Sequence, residues 1–217
     1  MPIQPDDIAD GAPDQPVTPD VSPLTPLGER QLVEAHRRGD PDAIGRLLRL
    51  YQRRIYSVCF RMLRDEHEAR DLTQDALLKV LEGLDSYDGR SKLSTWVIRV
   101  TMNCCLSHLR KQKLRRHASL DVAAEKGAIP PAAAELSPGR HVEQAEMRGI
   151  LLRAMGGIDP DMRAVLVLRD LQDLEYHRIA DVLRIPVGTV KSRLFRARTA
   201  LRAAAELELG PEHDTDV

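Results

Sequence analysis

Residues 176–202 leave this chain little choice of local structure. Tyr176, Ile179, Ala180 and Leu183 recur at the spacing of one helix face, and Pro186 then closes that helix and opens the next. Beyond it Val190, Leu194, Ala197 and Leu201 form an apolar stripe, while Thr189, Ser192, Arg193 and Arg196 repeat the spacing on the opposite side. The pattern predicts two short helices joined by the tight turn Arg184-Ile185-Pro186.

The second helix is strongly basic. Lys191, Arg198 and Arg202 flank its polar stripe, and six cations stand between Asp181 and Glu206 without an acid among them. A helix whose charges only face water mixes signs for i,i+4 pairing, so a run of one sign points to an anionic partner. Forked guanidinium groups suit guanine edges and phosphates, while Lys and hydroxyl groups suit phosphate oxygens. The pair therefore has the layout of a helix-turn-helix whose second helix enters the major groove of DNA. Thr189, Lys191, Ser192, Arg193 and Arg196 are its candidate contact residues.

Overall charge hides this. The formal net charge of −1 breaks down into +8 over residues 30–117 and +5 over 148–205, masked by −6 over 1–29, −3 over 118–147 and −5 over 206–217. Residues 1–27 hold seven prolines, five aspartates and no Lys or Arg, so 1–28 is expected to be a disordered tail. From Pro41 to Ile129 no further proline occurs and the apolar spacing is helical throughout. Helices are expected over about 29–38; from Asp40-Pro41 to Leu63; from Asp65, with Glu68 in capping-box spacing, to about Leu84; and from about Ser94 to Arg116. Residues 118–147, with Pro130-Pro131 and Ser137-Pro138-Gly139, have linker composition. Helix resumes at about Glu143–Met155 and again from Asp159-Pro160, and an acidic tail occupies 206–217. The expected fold is all-α: two small helical domains, 29–117 and 148–205, joined by a flexible linker.

The basic helix resembles a specific family. Pro186-Val187-Gly188-Thr189-Val190-Lys191-Ser192-Arg193-Leu194-Phe195-Arg196-Ala197-Arg198 is similar to the promoter-reading helix of bacterial sigma factors of the ECF (extracytoplasmic function) group. Ile158–Arg169 resembles the lead-in to that helix pair. Upstream, Asp71-Leu72-Thr73-Gln74-Asp75 resembles the segment through which sigma factors grip the clamp helices of RNA polymerase. By residue type alone, Asp71 and Asp75 would be a solvated helix edge. The resemblance makes Asp71, Leu72, Gln74 and Asp75 polymerase-binding.

Ser94–Asn103 resembles the family segment that holds the melted −10 element. An opened strand needs a cationic groove for its phosphates, and six cations without an acid lie between Arg99 and Arg116. Trp96, Arg99, Asn103, Arg110 and Lys111 are the candidate −10 contacts, although Trp96 also fits the helical spacing of a core residue. Three positions depart from the family pattern: Ser107 where Asp is common, Arg178 where Glu is usual, and Arg184 where a turn Gly is common.

The resemblance implies sigma region 2 over 29–117, region 4 over 148–205, and a function in which the chain binds core RNA polymerase, recognises the −35 and −10 elements and helps open the DNA. It also implies an anti-sigma partner. The rival readings find less support. A stand-alone regulator needs a dimerisation surface and a ligand site, and neither has a candidate. An enzyme needs a nucleophile motif, a phosphate loop or ligand-spaced histidines, so no catalytic residue, cofactor, metal or small-molecule substrate is expected. Cys59, Cys104 and Cys105 lack metal-ligand spacing and read as buried thiols. With no basic start followed by an apolar run, and no membrane-length apolar stretch, the expected location is the cytoplasm.

Overall fold

The computed structural model of the chain describes residues 26–120 and 141–209, with side chains for 28–115, 147 and 149–209. Within them lie eight helices: α1 (Pro26–Arg37), α2 (Pro41–Leu63), α3 (Glu66–Gly83), α4 (Leu93–Leu120), α5 (His141–Gly156), α6 (Pro160–Leu166), α7 (Tyr176–Leu183) and α8 (Val187–Leu209). Local chemistry sets their starts. The Asp40 carboxylate accepts the Asp42 amide at 2.9 Å, Asp65 accepts that of Glu68 at 2.8 Å, and Asp159 accepts that of Asp161 at 2.9 Å. Pro41 and Pro160 occupy first-turn positions, where no amide donor is missed.

Four boundaries differ from the sequence expectation. Helix α1 begins at Pro26, inside the stretch read as a tail, because a proline suits the first helical position. Helices α4 and α5 reach Leu120 and His141, so helix covers both ends of the stretch read as a linker. Nothing between Leu93 and Leu120 breaks a helix. Helix α8 runs to Leu209, into the stretch read as an acidic tail, since Ala203–Leu209 contains only good helix formers before Gly210. Residues 1–25, 121–140 and 210–217, which make up the rest of the expected tails and linker, lie outside the described residues.

Helices α2, α3 and α4 pack mutually, with α1 laid across α2. Leu47, Ile55, Met62, Val80, Val97, Ile98 and Met102 are fully enclosed among them. The buried hydroxyls of Thr73 and Thr101 donate to the carbonyls of Ala69 and Val97, at 2.6 and 2.9 Å, so neither is left unsatisfied. Tyr51 donates to Glu29 at 2.6 Å and ties α1 down.

In the second body α8 is the spine, contacted by α5, α6 and α7. A single wider turn over Val167–Leu171 continues α6 and leads to the helix pair. The α7–α8 turn is made by Arg184, in the left-handed region at φ 56°, where a Cβ is disfavoured. This explains why glycine is the more natural occupant there.

The two bodies are not held apart. Helix α7 packs on α4, α6 touches α2 and α4, and the buried apolar residues of both bodies join in one cluster. Ile179 and Ala180, on the predicted face, are buried as expected. Val182, on another flank of the same helix, is buried as well, because α7 lies between α8 and α4.

Candidate nucleic-acid interface

Burial of Val190, Leu194 and Ala197 fixes the roll of α8 and turns the opposite face outward. Lys191, Ser192 and Arg196 are exposed there, and Thr189 is half-buried at the start of the face, its carbonyl accepting from the Ser192 hydroxyl at 3.1 Å. Arg193 lies differently. Its guanidinium meets Asp161 at 3.2 Å, which moves it toward α6 and half-buries it. Arg198 is also engaged, through a two-pronged pair with Asp170 at 2.5 and 3.3 Å, and that pairing raises its pKa above the ordinary arginine value.

Sequence reasoning passed over Phe195. It is 73 % exposed and projects among Lys191, Arg198 and Arg202 beside Tyr176. The signal was available, since an aromatic residue stood on the polar face of an otherwise regular stripe.

The candidate −10 residues divide along α4. Asn103, Arg110 and Lys111 are exposed, together with Ser107 one turn beyond Asn103. Trp96 is half-buried: it tilts against Tyr87 with ring centres 5.6 Å apart and closes over Gly83, where an added Cβ would lie 3.0 Å from its ring. Its principal contacts are therefore those of a core residue. Arg99 is half-buried, and its Nε is sealed from solvent with no hydrogen-bond partner. The loop before α4 adds cations that the motif did not include. Arg90 and Lys92 line a small concavity with Arg30 of α1, Tyr87 and Arg178 of α7. No single stretch of sequence reveals that grouping, because both bodies contribute to it.

On α3, Asp71, Gln74 and Asp75 are exposed on one edge, and Leu78, 57 % exposed, extends it by a turn. Leu72 requires a correction. It is only 6 % exposed and belongs to the core, because the helix rotation that brings Asp71 and Asp75 outward turns Leu72 toward α2 and α4. It can hold the acidic edge in place but presents little surface to a partner. Leu78 provides the exposed apolar group instead.

The three thiols are enclosed. Cys105 donates to Cys59 across 3.9 Å, and this bond, followed by burial, holds the Cys105 thiol well above its ordinary range. Burial also pushes Cys104 up. Among the described residues no group of His, Cys, Asp and Glu is arranged to hold a metal ion, and no helix is long and apolar enough to cross a membrane.

Known proteins carry the same layout. Residues 47–115 match the family model of Sigma-70 region 2, and residues 148–201 match that of Sigma-70, region 4. The ECF RNA polymerase sigma factor SigW of Bacillus subtilis is 32% identical over 176 residues, spanning 80% of this chain and 94% of that protein. RNA polymerase sigma-H factor of Pseudomonas aeruginosa is 35% identical over 187 residues, 84% of this chain and 96% of the relative. The ECF RNA polymerase sigma-E factor of Escherichia coli K12 is 35% identical over 179 residues, 81% of this chain and 93% of the relative. Two solved structures share the fold. The sigma factor RpoE in complex with the anti-sigma factor NepR from Bartonella quintana has a TM-score of 0.57 at 24% identity, covering 75% of this chain and 96% of that one. CnrH in complex with the cytosolic domain of CnrY has a TM-score of 0.55 at 22% identity, covering 81% and 96%.

Proposed function

This chain belongs to the ECF sigma factors, the promoter-recognising subunits of RNA polymerase, and from that premise we propose which of its surfaces perform each step. Residues 29–117 act as the region 2 domain and 148–205 as the region 4 domain. The exposed edge of Asp71, Gln74 and Asp75, with Leu78 beside it, docks on the polymerase clamp helices; its carboxylates set orientation and encounter rate. Lys191, Ser192 and Arg196 then enter the major groove of the −35 element, with Thr189 at the helix start on the DNA backbone. Phe195, exposed beside those cations, meets a thymine methyl group. Arg193 reaches DNA by exchanging Asp161 for phosphate. Asn103, Arg110 and Lys111, joined by Arg99, capture the unpaired −10 strand, while Trp96 stiffens the base of the groove against Tyr87.

In this scheme the chain performs no covalent step. It works in the cytoplasm, where polymerase and promoter are found, and an anti-sigma protein restrains it, as NepR accompanies its sigma factor in the like-folded complex. The observation that carries the scheme is the pairing of an acidic edge on α3 with two separate cationic faces, on α4 and α8, in the order of the family. Run-off transcription with core polymerase and a promoter library tests it. Specific initiation should appear with the wild type and fall about 5- to 150-fold in Arg196→Ala. Pull-down of polymerase should fail for the Asp71→Ala/Asp75→Ala double variant. Tight, specific binding of DNA by the chain alone, as an operator dimer, would contradict the scheme.

A further inference from the structure

The promoter scheme leaves one group of cations without a role. Arg90 and Lys92, in the loop before α4, share a concavity of about 210 Å³ with Arg30 of α1 and Arg178 of α7. Three elements wall it, and they come from both bodies.

The loop is built to hold its shape. Tyr87, only 8 % exposed, donates its hydroxyl to the Ser91 carbonyl, and the Asp88 carboxylate accepts the Arg90 amide at 3.0 Å. Gly89 lies at φ 74°, a conformation that suits glycine. The Arg37 guanidinium donates to the Tyr87 carbonyl at 2.5 Å and ties the loop to α1. Arg90 and Lys92 are therefore carried on a fixed turn.

The charges in the concavity do not balance. Its one carboxylate, Glu29, already accepts the Tyr51 hydroxyl at 2.6 Å. Among the described residues Arg30, Lys92 and Arg178 form no ion pair. Arg90 has only Asp88, at 3.2 Å, in a pair exposed enough to be exchanged at little cost. Arg30 and Lys92 are exposed, but Arg178 is half-buried, where an unpaired charge costs more than in open water. Like charges gathered around one concavity repel until an anion joins them. Position 178 makes the imbalance particular to this chain, since Glu is usual there in the family and would supply a second carboxylate.

We propose that this concavity binds a diphosphate group, as inorganic pyrophosphate or as the end of a nucleotide. Its volume is below the ~300 Å³ at which pockets begin to enclose drug-sized ligands, so a compact anion fits and any nucleoside lies outside. Four cations against one occupied carboxylate call for a multiply charged anion, and guanidinium forks suit paired phosphate oxygens. A DNA strand instead needs a groove that tracks its backbone, which a concavity of this size does not provide. Binding alone is involved; no bond is made or broken. A ligand that touches α1, the loop and α7 stabilises the folded chain by mass action, with or without polymerase.

Calorimetric titration and thermal melting of the full chain with sodium pyrophosphate test the site, with sulfate at equal ionic strength as the reference. Pyrophosphate should bind at a single site and raise the melting temperature, and sulfate should bind at least about tenfold more weakly. Arg178→Glu, which installs the residue usual in the family, and Lys92→Ala, at an exposed position, should each weaken pyrophosphate binding about tenfold or more. Arg49→Glu makes the same change of charge on exposed α2, outside the concavity, and should keep binding within about twofold. Guanosine diphosphate separates the two sources: binding as strong as that of pyrophosphate assigns the nucleotide end, and its absence assigns the inorganic anion. Equal affinity for sulfate, equal loss in Arg49→Glu, or unchanged binding in either site variant overturns the proposal. So does a chain that ignores pyrophosphate yet binds single-stranded DNA through Arg178, which would give these cations to the promoter strand.

Discussion

Helices α4 and α8 are both basic and both assigned to DNA, but they are built in opposite ways. Helix α8 buries one stripe and shows a free cationic face to solvent. Helix α4 is enclosed on nearly all sides over Leu93–Leu106, with Asn103 as its exposed window, and its cations cluster in the open only from Arg110 onward. A rigid duplex already displays its groove edges, so a single preformed face can read it. An unpaired strand must be received by a shaped surface, and a shaped surface requires a packed scaffold beneath it. Under the proposed scheme, one composition, rich in Lys and Arg, would serve two kinds of DNA contact.

The sharpest way to break this contrast is to remove its scaffold. Met102→Ala, at a fully buried position of α4, should cost about 2–5 kcal/mol, visible in urea denaturation, whereas Phe195→Ala, at an exposed position of α8, should leave the midpoint unchanged. An equal loss from both would mean that α8 is not a free face. Next in size, Arg196→Ala should lower initiation by about 1–3 kcal/mol of discrimination, read from transcription on matched and −35-mutated promoters, with unchanged stability. Arg184→Gly relieves the left-handed turn and should stabilise the chain by about 1 kcal/mol, read as a raised denaturation midpoint with promoter choice unaltered. Arg99→Ala should leave free-chain stability within about 0.5 kcal/mol, since the lost group is buried without a partner at Nε, yet reduce open-complex lifetime. The smallest effect is expected from Asp161→Asn. It releases Arg193 from a half-exposed pair worth roughly 0.5 kcal/mol or less, which should appear as slightly tighter, more salt-sensitive −35 binding by the holoenzyme.

Where the chemistry was local, the sequence was readable. Asp40-Pro41, Asp65 with Glu68, and Asp159-Pro160 place three helix starts because each cap is completed within a few residues. The stripe Val190, Leu194, Ala197 likewise fixes which side of α8 is exposed, and with it the placement of Lys191, Ser192 and Arg196. What could not be read depends on residues far apart in the chain. Val182 is buried because α7 meets α4, Arg193 is drawn aside by Asp161, and Arg178 faces a concavity lined by α1 and the loop before α4. Leu72 shows the finer error. A motif names neighbours in sequence, but on a helix adjacent residues point different ways, so the leucine within an acidic motif was bound to face inward.

Arg64 ends α2 in a left-handed turn, and its side chain fills the space left by the missing side chain of Gly156. Two positions that no motif connects are therefore tied by volume: any larger residue at 156 must be matched by a shorter or redirected one at 64. Across ECF relatives that pack these helices in the same way, the pair should co-vary.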